Sequence, residues 1–158
     1  MSGITICECQ VGDLDESLRH LWINLAKEMF EIEPITIPSE ANSSKWFDFV
    51  KDGLDKKRTL MLIAKAEKKT VGFVSATLPR EQTFEVAQSF GVINDLYVLP
   101  EFRRKGIGKR LLEECMNRLR TEGFKAVRLS VLPGDENAIR LYQKLGFRIF
   151  LHSMARKL

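Results

Sequence analysis

Between Arg103 and Arg110 the chain reads Arg-Arg-Lys-Gly-Ile-Gly-Lys-Arg, a stretch suited to holding an anion. Glycines at 106 and 108 let the backbone approach a ligand with no Cβ in the way. A strand-like run, Gly91 to Val98, comes before it and is broken by Pro100. An amphipathic helix follows, starting at or near Gly108. A helix opening there points its unpaired N–H groups and its positive dipole end at one spot. Arg103, Arg104, Lys105, Lys109 and Arg110 add positive charge. The strand also carries a polar pair, Asn94 and Asp95, whose carboxylate could take a proton. Further on, Tyr142 sits on an apolar helical face and could give one.

Two familiar phosphate loops are excluded. A Walker A loop needs a hydroxyl after Gly-Lys, but Arg110 follows Lys109, and the earlier glycine is missing. A dinucleotide fingerprint needs a third glycine where Leu111 stands. The net charge is +4. Residues 101–110 hold five bases and one acid, so the whole formal excess sits in one turn. A nucleic-acid binder spreads its cations along a face to meet many phosphates. A single focus suits one small polyphosphate.

The spacing Arg103-x-x-Gly106-x-Gly108, after Leu96-Tyr97-Val98 and before a helix, resembles the GNAT superfamily of acetyl-CoA-dependent N-acetyltransferases. That family carries (Arg or Gln)-x-x-Gly-x-(Gly or Ala) between its fourth strand and third helix. A second stretch, Ala138 to Phe147, is similar to the family's later helix with its Tyr…Gly-Phe ending. The two motifs cover about residues 93–150. The N-terminal part agrees in element order only.

The resemblance implies roles, carried over position by position. The backbone of Leu96, Tyr97 and Val98 would pair with the pantetheine arm of acetyl-CoA, and one N–H would steady the oxyanion. The turn Arg103, Arg104, Lys105, Gly106, Ile107, Gly108 and Lys109 would hold the pyrophosphate. Tyr142 matches the tyrosine that protonates the departing thiolate. The family often has an asparagine seven residues before that tyrosine. Here the position is Asp135, which caps the helix or touches the cofactor, and Asn137 is the other candidate contact. Some relatives carry a catalytic glutamate where this chain has Asn94. Asparagine takes no proton, so the base is a water held by Asn94, or Asp95, Glu85 or Glu31. Strand alternation points Asp95 to the opposite face unless a bulge intervenes. The acceptor, a small-molecule or peptide amine, would sit near the first two helices and the connection from Gln82 to Phe90. Glu28, Glu31 and Glu33 would attract a cationic amine such as a polyamine. A protein N-terminus or a lysine needs a wider groove. Dimers are common in the family, so a homodimer is an implied assembly. A coenzyme A sensor without chemistry is the alternative, and a nucleic-acid binder is a third reading.

These residues need a scaffold, and the pattern supplies one. The 158 residues are 44% hydrophobic and 29% charged, which suits one soluble domain spanning residues 1–158. No run approaches the ~18 apolar residues of a membrane span, and no signal peptide opens the chain, so a cytoplasmic protein is expected. Cys7, Cys9 and Cys115 lack zinc-type spacing, and His20 and His152 are far apart, so no metal site is expected. Ile4 to Cys9 alternates as a strand. Leu18, Leu21, Trp22, Leu25 and Met29 mark one helix, capped by Asp13 or Asp15 and ending before Pro34. Pro38-Ser39 opens a second helix, to about Leu54, packed through Trp46, Phe47, Phe49 and Val50. Thr59 to Ala66 and Val71 to Leu78 form a hairpin. The helix after the glycine turn buries Ile107, Leu111, Leu112, Cys115 and Leu119 and stops at Gly123. Ala126 to Leu132 is a strand. The next helix buries Ala138, Leu141, Tyr142 and Leu145. Phe147 to Ala155 is a last strand. The order β-α-α-β-β-β-α-β-α-β predicts an α/β fold, a mixed central sheet flanked by helices.

Overall fold

The structure, a computed structural model, describes residues 3–79 and 89–158. The elements are β1 (Ile4–Glu8), α1 (Glu16–Ile32), α2 (Glu40–Asp55), β2 (Thr59–Ala66), β3 (Lys69–Thr77), β4 (Phe90–Val98), α3 (Ile107–Thr121), β5 (Ala126–Leu129) and α4 (Glu136–Lys144). The five strands form one sheet in the order β1-β2-β3-β4-β5. Neighbours run antiparallel except β4 and β5, which are parallel. The mixed α/β sheet expected from the sequence is therefore present. Among the described residues no helix is long and apolar enough to cross a membrane.

The central strands are apolar on both faces because each face is covered. On one side Leu60, Leu62, Val74 and Ala76 pack against Leu111, Leu112, Cys115 and Leu119 of α3. On the other, Met61, Ile63, Phe73 and Tyr97 pack against Leu18, Leu21, Trp22 and Ala26 of α1 and Val50 of α2. Side-chain caps fix both helix starts on this second side. Asp15 accepts from the Leu18 N–H at 3.1 Å, and Ser39 accepts from the Asn42 N–H at 3.2 Å. Gly53, in the last turn of α2, has room for no side chain, since a Cβ there would lie 2.0 Å from the Thr59 hydroxyl.

Four expectations need correction. Phe147 to Ala155 forms no strand. Alternating apolar residues show only that a segment suits a half-buried surface, and this one has no ladder partner. Ile149, Leu151 and Met154 stay exposed. β5 stops at Leu129 rather than Leu132, and α4 has no fully buried residue. Phe49 points to solvent, because the face of α2 that meets the sheet runs through Ser43, Trp46, Val50 and Gly53.

Candidate functional site

The sheet is open beside the end of β4. β5 pairs with β4 only from Phe90 to Ile93, whereas β4 continues to Val98. Which backbone groups face the opening follows from the ladder on the other side. The Leu99 N–H bonds to the Val71 carbonyl at 2.9 Å, and the register runs Phe73↔Tyr97 and Ser75↔Asp95. Paired residues in an antiparallel ladder bond at every second position. Tyr97 and Asp95 therefore bond towards β3, and Leu96 and Val98 turn their backbone groups to the gap. The Val98 carbonyl is already taken, accepting from Arg103 Nε at 2.7 Å. The Leu96 N–H and C=O and the Val98 N–H remain to line the opening. Tyr97, expected alongside them, is placed otherwise. Its ring faces α1, and its hydroxyl donates to Glu28 at 3.3 Å. Burial, then the Glu28 charge, pushes its pKa up to about 12.

The glycine turn sits at the end of the same strand. Arg104 and Gly106 both have positive φ, 61° and 77°. Alternating right- and left-handed residues gather successive N–H groups into an anion-binding concavity. The first bond of α3 runs from the Arg110 N–H to the Gly106 carbonyl at 3.0 Å. The amides ahead of it, from Arg104 to Lys109, have no backbone acceptor among the described residues. A Cβ on Gly106 would meet nothing within 4 Å, so the turn faces open space. An unpaired, uncovered row of amides fits a diphosphate.

The cations divide into two groups. Arg104, Lys105 and Lys109 lie exposed about the turn, with Lys109 3.8 Å from Glu113 and Lys105 donating to the Glu101 carbonyl at 3.1 Å. Arg103 and Arg110 point elsewhere, which corrects the expectation that all five surround the phosphates. Arg103 pairs with Glu28 of α1 at 2.7 Å and lies over the Tyr97 ring. Arg110 donates to the Ile4 carbonyl in β1 at 3.3 Å. Ile107 is buried in the core, so only its amide belongs to the turn.

The polar pair in β4 is remade by a bulge. Ser75 faces Asp95 and Ala76 faces Ile93, leaving Asn94 as the extra residue. A bulge re-aims the side chains around it. Asp95 thus lies on the α1/α2 face, where its Oδ2 accepts from Ser75 Oγ at 2.7 Å and from Trp46 Nε1 at 3.2 Å. Trp46 is itself stacked on Trp22 with centroids 5.7 Å apart. Burial pushes the Asp95 pKa above the ordinary carboxylate range, against the pull of those two hydrogen bonds. Asn94 donates to Thr77 Oγ1 at 2.7 Å. The Trp46 and Ser75 contacts were invisible in the sequence, because nothing local links residues 49 and 20 positions away. Glu28 is tied up by Arg103 and Tyr97, and Glu31 and Glu33 are exposed. Glu85 and most of the connection from Gln82 to Phe90 lie outside the described residues.

Tyr142 packs against the core on the α3 side, its ring 5.8 Å from Phe147. Burial, then Asp135 and Asp95, pushes its pKa up to about 12. The Asp95 charge is thus felt at Tyr142. A Cβ on Gly108 would lie 3.6 Å from Leu141, so the glycine turn also borders α4. Asp135 accepts from the Ala138 N–H at 3.1 Å, a helix cap. Asn137 is exposed and accepts from Arg140 at 3.0 Å.

Comparison with known proteins identifies the family and the fold. Residues 20–147 match the model of the acetyltransferase (GNAT) family. Human N-acetyltransferase 8 is 27% identical over 128 residues, covering 81% of this chain and 53% of the human protein. The chain thus spans about half the length of that relative. An uncharacterised N-acetyltransferase of Archaeoglobus fulgidus is 30% identical over 107 residues, 68% of each chain. Among solved structures, a tetramutant of the BH1408 protein from Bacillus halodurans superposes with a TM-score of 0.79 at 20% identity, covering 98% of this chain and 99% of the other. The acetyltransferase AAC(6')-Iy, bound to the bisubstrate analogue CoA-S-monomethyl-acetylneamine, superposes with a TM-score of 0.71 at 16% identity, covering 99% of each.

Proposed function

The chain belongs to the acetyltransferase (GNAT) family, and on that premise we propose that it transfers the acetyl group of acetyl-CoA to a primary amine by direct attack in a ternary complex. One observation carries the reading. A row of unpaired amides at the start of α3 and the one-sided opening of β4 lie end to end, matching a diphosphate joined to an extended arm.

Each residue then has a task. The amides from Arg104 to Lys109, with the nearby cations, hold the pyrophosphate. Leu96 and Val98 pair with the arm through the backbone groups β5 leaves free. Bound acetyl-CoA supplies the thioester, whose C–S bond breaks as the C–N bond forms. The Leu96 or Val98 N–H donates to the carbonyl oxygen as it gains charge. Asp95 accepts the proton the amine must lose, directly or through water held at Asn94. Its raised pKa makes it a better base than an ordinary carboxylate. Tyr142 donates to the departing sulfur. Its pKa of about 12 exceeds the ~8.5 of an ordinary thiol, so full transfer to sulfur runs uphill. Tyr142 therefore acts chiefly as a hydrogen-bond donor. The donor thioester and the free thiols Cys7, Cys9 and Cys115 suit a reducing compartment, and we place the enzyme in the cytoplasm.

Release of free thiol from acetyl-CoA, followed across a panel of amines, tests the reading. Turnover is expected with at least one primary amine. Failure with every polyamine, aminoglycoside, amino acid and peptide terminus, in protein that binds coenzyme A, favours the sensor. Tyr142→Phe separates the two further. The enzyme loses rate while keeping its cofactor affinity, whereas a sensor has no rate to lose.

A further inference from the structure

The face of α1 that lies on the sheet stays apolar where the sheet beneath it opens. Trp22 and Leu25 pack into the core, and Met29 and Ile32 continue the same face two turns on. Met29 and Ile32 nevertheless stand 37% and 40% exposed. Contacts at both margins show what lies under them. Glu28 is bound to Tyr97 in β4 and to Arg103 just beyond it. The Ile32 side chain reaches the loop after β5, so close that a Cβ on Gly134 would lie 2.7 Å from it. The end of α1 therefore bridges the gap between β4 and β5, on the face that holds Asp95. The connection to α2 adds Ile35 and Ile37, 68% and 62% exposed. Met29 and Ile32 thus border the gap, and Ile35 and Ile37 carry the apolar run past the helix end, with Glu31 and Glu33 among them.

We infer that this rim selects a primary amine carrying an apolar group a few bonds from its nitrogen, rather than a polyamine. The inference rests on the acetyl-transfer reading above and narrows its acceptor. The phosphates enter at the start of α3, so the amine must approach from the α1/α2 face, past this rim. A polyamine needs several free acids, and Glu28 is already neutralised by Arg103. An apolar group gains by covering Met29, Ile32, Ile35 and Ile37, while Glu31 and Glu33 suit the single charge of its amine. An arylalkylamine and a peptide that begins with a large apolar residue share this chemistry.

The test compares kcat/KM at saturating acetyl-CoA for 2-phenylethylamine, a tetrapeptide beginning with phenylalanine, ethanolamine and spermidine. At least one apolar amine is expected to exceed ethanolamine and spermidine by about 10- to 200-fold, the range a hydrophobic contact contributes to discrimination. Which of the two does so identifies the source. The exposed double variant Ile35→Ser, Ile37→Ser is expected to shrink that ratio at least several-fold, with heat of coenzyme A binding confirming a folded protein. Spermidine or ethanolamine matching the apolar amines overturns the inference, as does a ratio the variant leaves intact. Lack of turnover with every apolar amine overturns it too. If ethanolamine and spermidine are also inert, in protein that binds coenzyme A, the acetyl-transfer reading has failed with it. Polar turnover with normal cofactor binding sinks only the rim.

Discussion

A carboxylate held between an indole N–H and a serine hydroxyl costs the fold stability at neutral pH. Burial raises the Asp95 pKa in the native chain, while the unfolded chain keeps a value near 3.8. Between those two values the native state binds more protons than the unfolded one. Stability contributed by this residue therefore falls as pH rises through that window. Asp95→Asn removes the penalty and keeps a carbonyl oxygen to accept from Ser75 and Trp46. The variant is expected to melt at the same or a higher temperature at pH 7. Its kcat should drop by about 10²- to 10⁴-fold, the usual contribution of a general base. In the wild type, the acidic limb of the rate profile should lie above the ordinary carboxylate range. Thermal melts and steady-state rates on the two proteins decide it. A variant that is both more stable and fully active would move the base elsewhere, to a water at Asn94 or to Glu31.

At the scale of elements, the proposed function gives the start of α3 two jobs that one substitution can separate. Gly108 lies inside the helix without positive φ, and a Cβ there makes only ordinary contacts, 3.6 Å to Leu141 and 3.9 Å to Val98. Alanine in a helix is favoured over glycine by about 0.8–1.0 kcal/mol. Gly108→Ala is therefore expected to raise the urea midpoint while leaving coenzyme A binding unchanged, because the new methyl group points at Leu141 and Val98 and leaves the amide row uncovered. A marked loss of affinity in the stabilised variant would show that the phosphates press on this position from the Leu141 side and not on the amide row alone. α3 was also the most legible element in the sequence. Its five core residues recur at helical spacing, and all five are buried. The mixed sheet was legible from the element order, although that order carried six strands and five form the sheet. What escaped depends on partners distant in sequence. Phe147 to Ala155 alternates like a strand, but a strand exists only where an edge receives it. The bulge at Asn94 is a mismatch between β4 and β3, and neither strand announces it alone. Arg103 and Arg110 read as phosphate ligands by position, yet their partners lie 75 and 106 residues away.

Across the whole molecule, the proposed function has the two substrates meet opposite surfaces. The excess positive charge collects at the turn before α3, whereas the amine side offers an apolar rim and a buried carboxylate. Arg103 and Glu28 join the two sides and largely cancel one another at the boundary. The two substrates should then respond differently to salt. Exposed cations such as Arg104 and Lys109 would act on the cofactor through water and be screened once the Debye length, ~10 Å at 0.1 M salt, shrinks. Raising sodium chloride from about 0.05 to 0.5 M should weaken coenzyme A binding several-fold, chiefly by slowing association. Dephospho-coenzyme A lacks a phosphate worth roughly 1.5 to 2 negative charges, so its affinity should fall less steeply over the same range. An apolar amine held by hydrophobic contact should show a nearly flat KM across that titration. Calorimetry with the two cofactors and steady-state rates with the amine give all three slopes. Identical salt slopes for the two cofactors would mean that the exposed cations do not act on that phosphate, leaving the amide row to hold the cofactor by geometry alone.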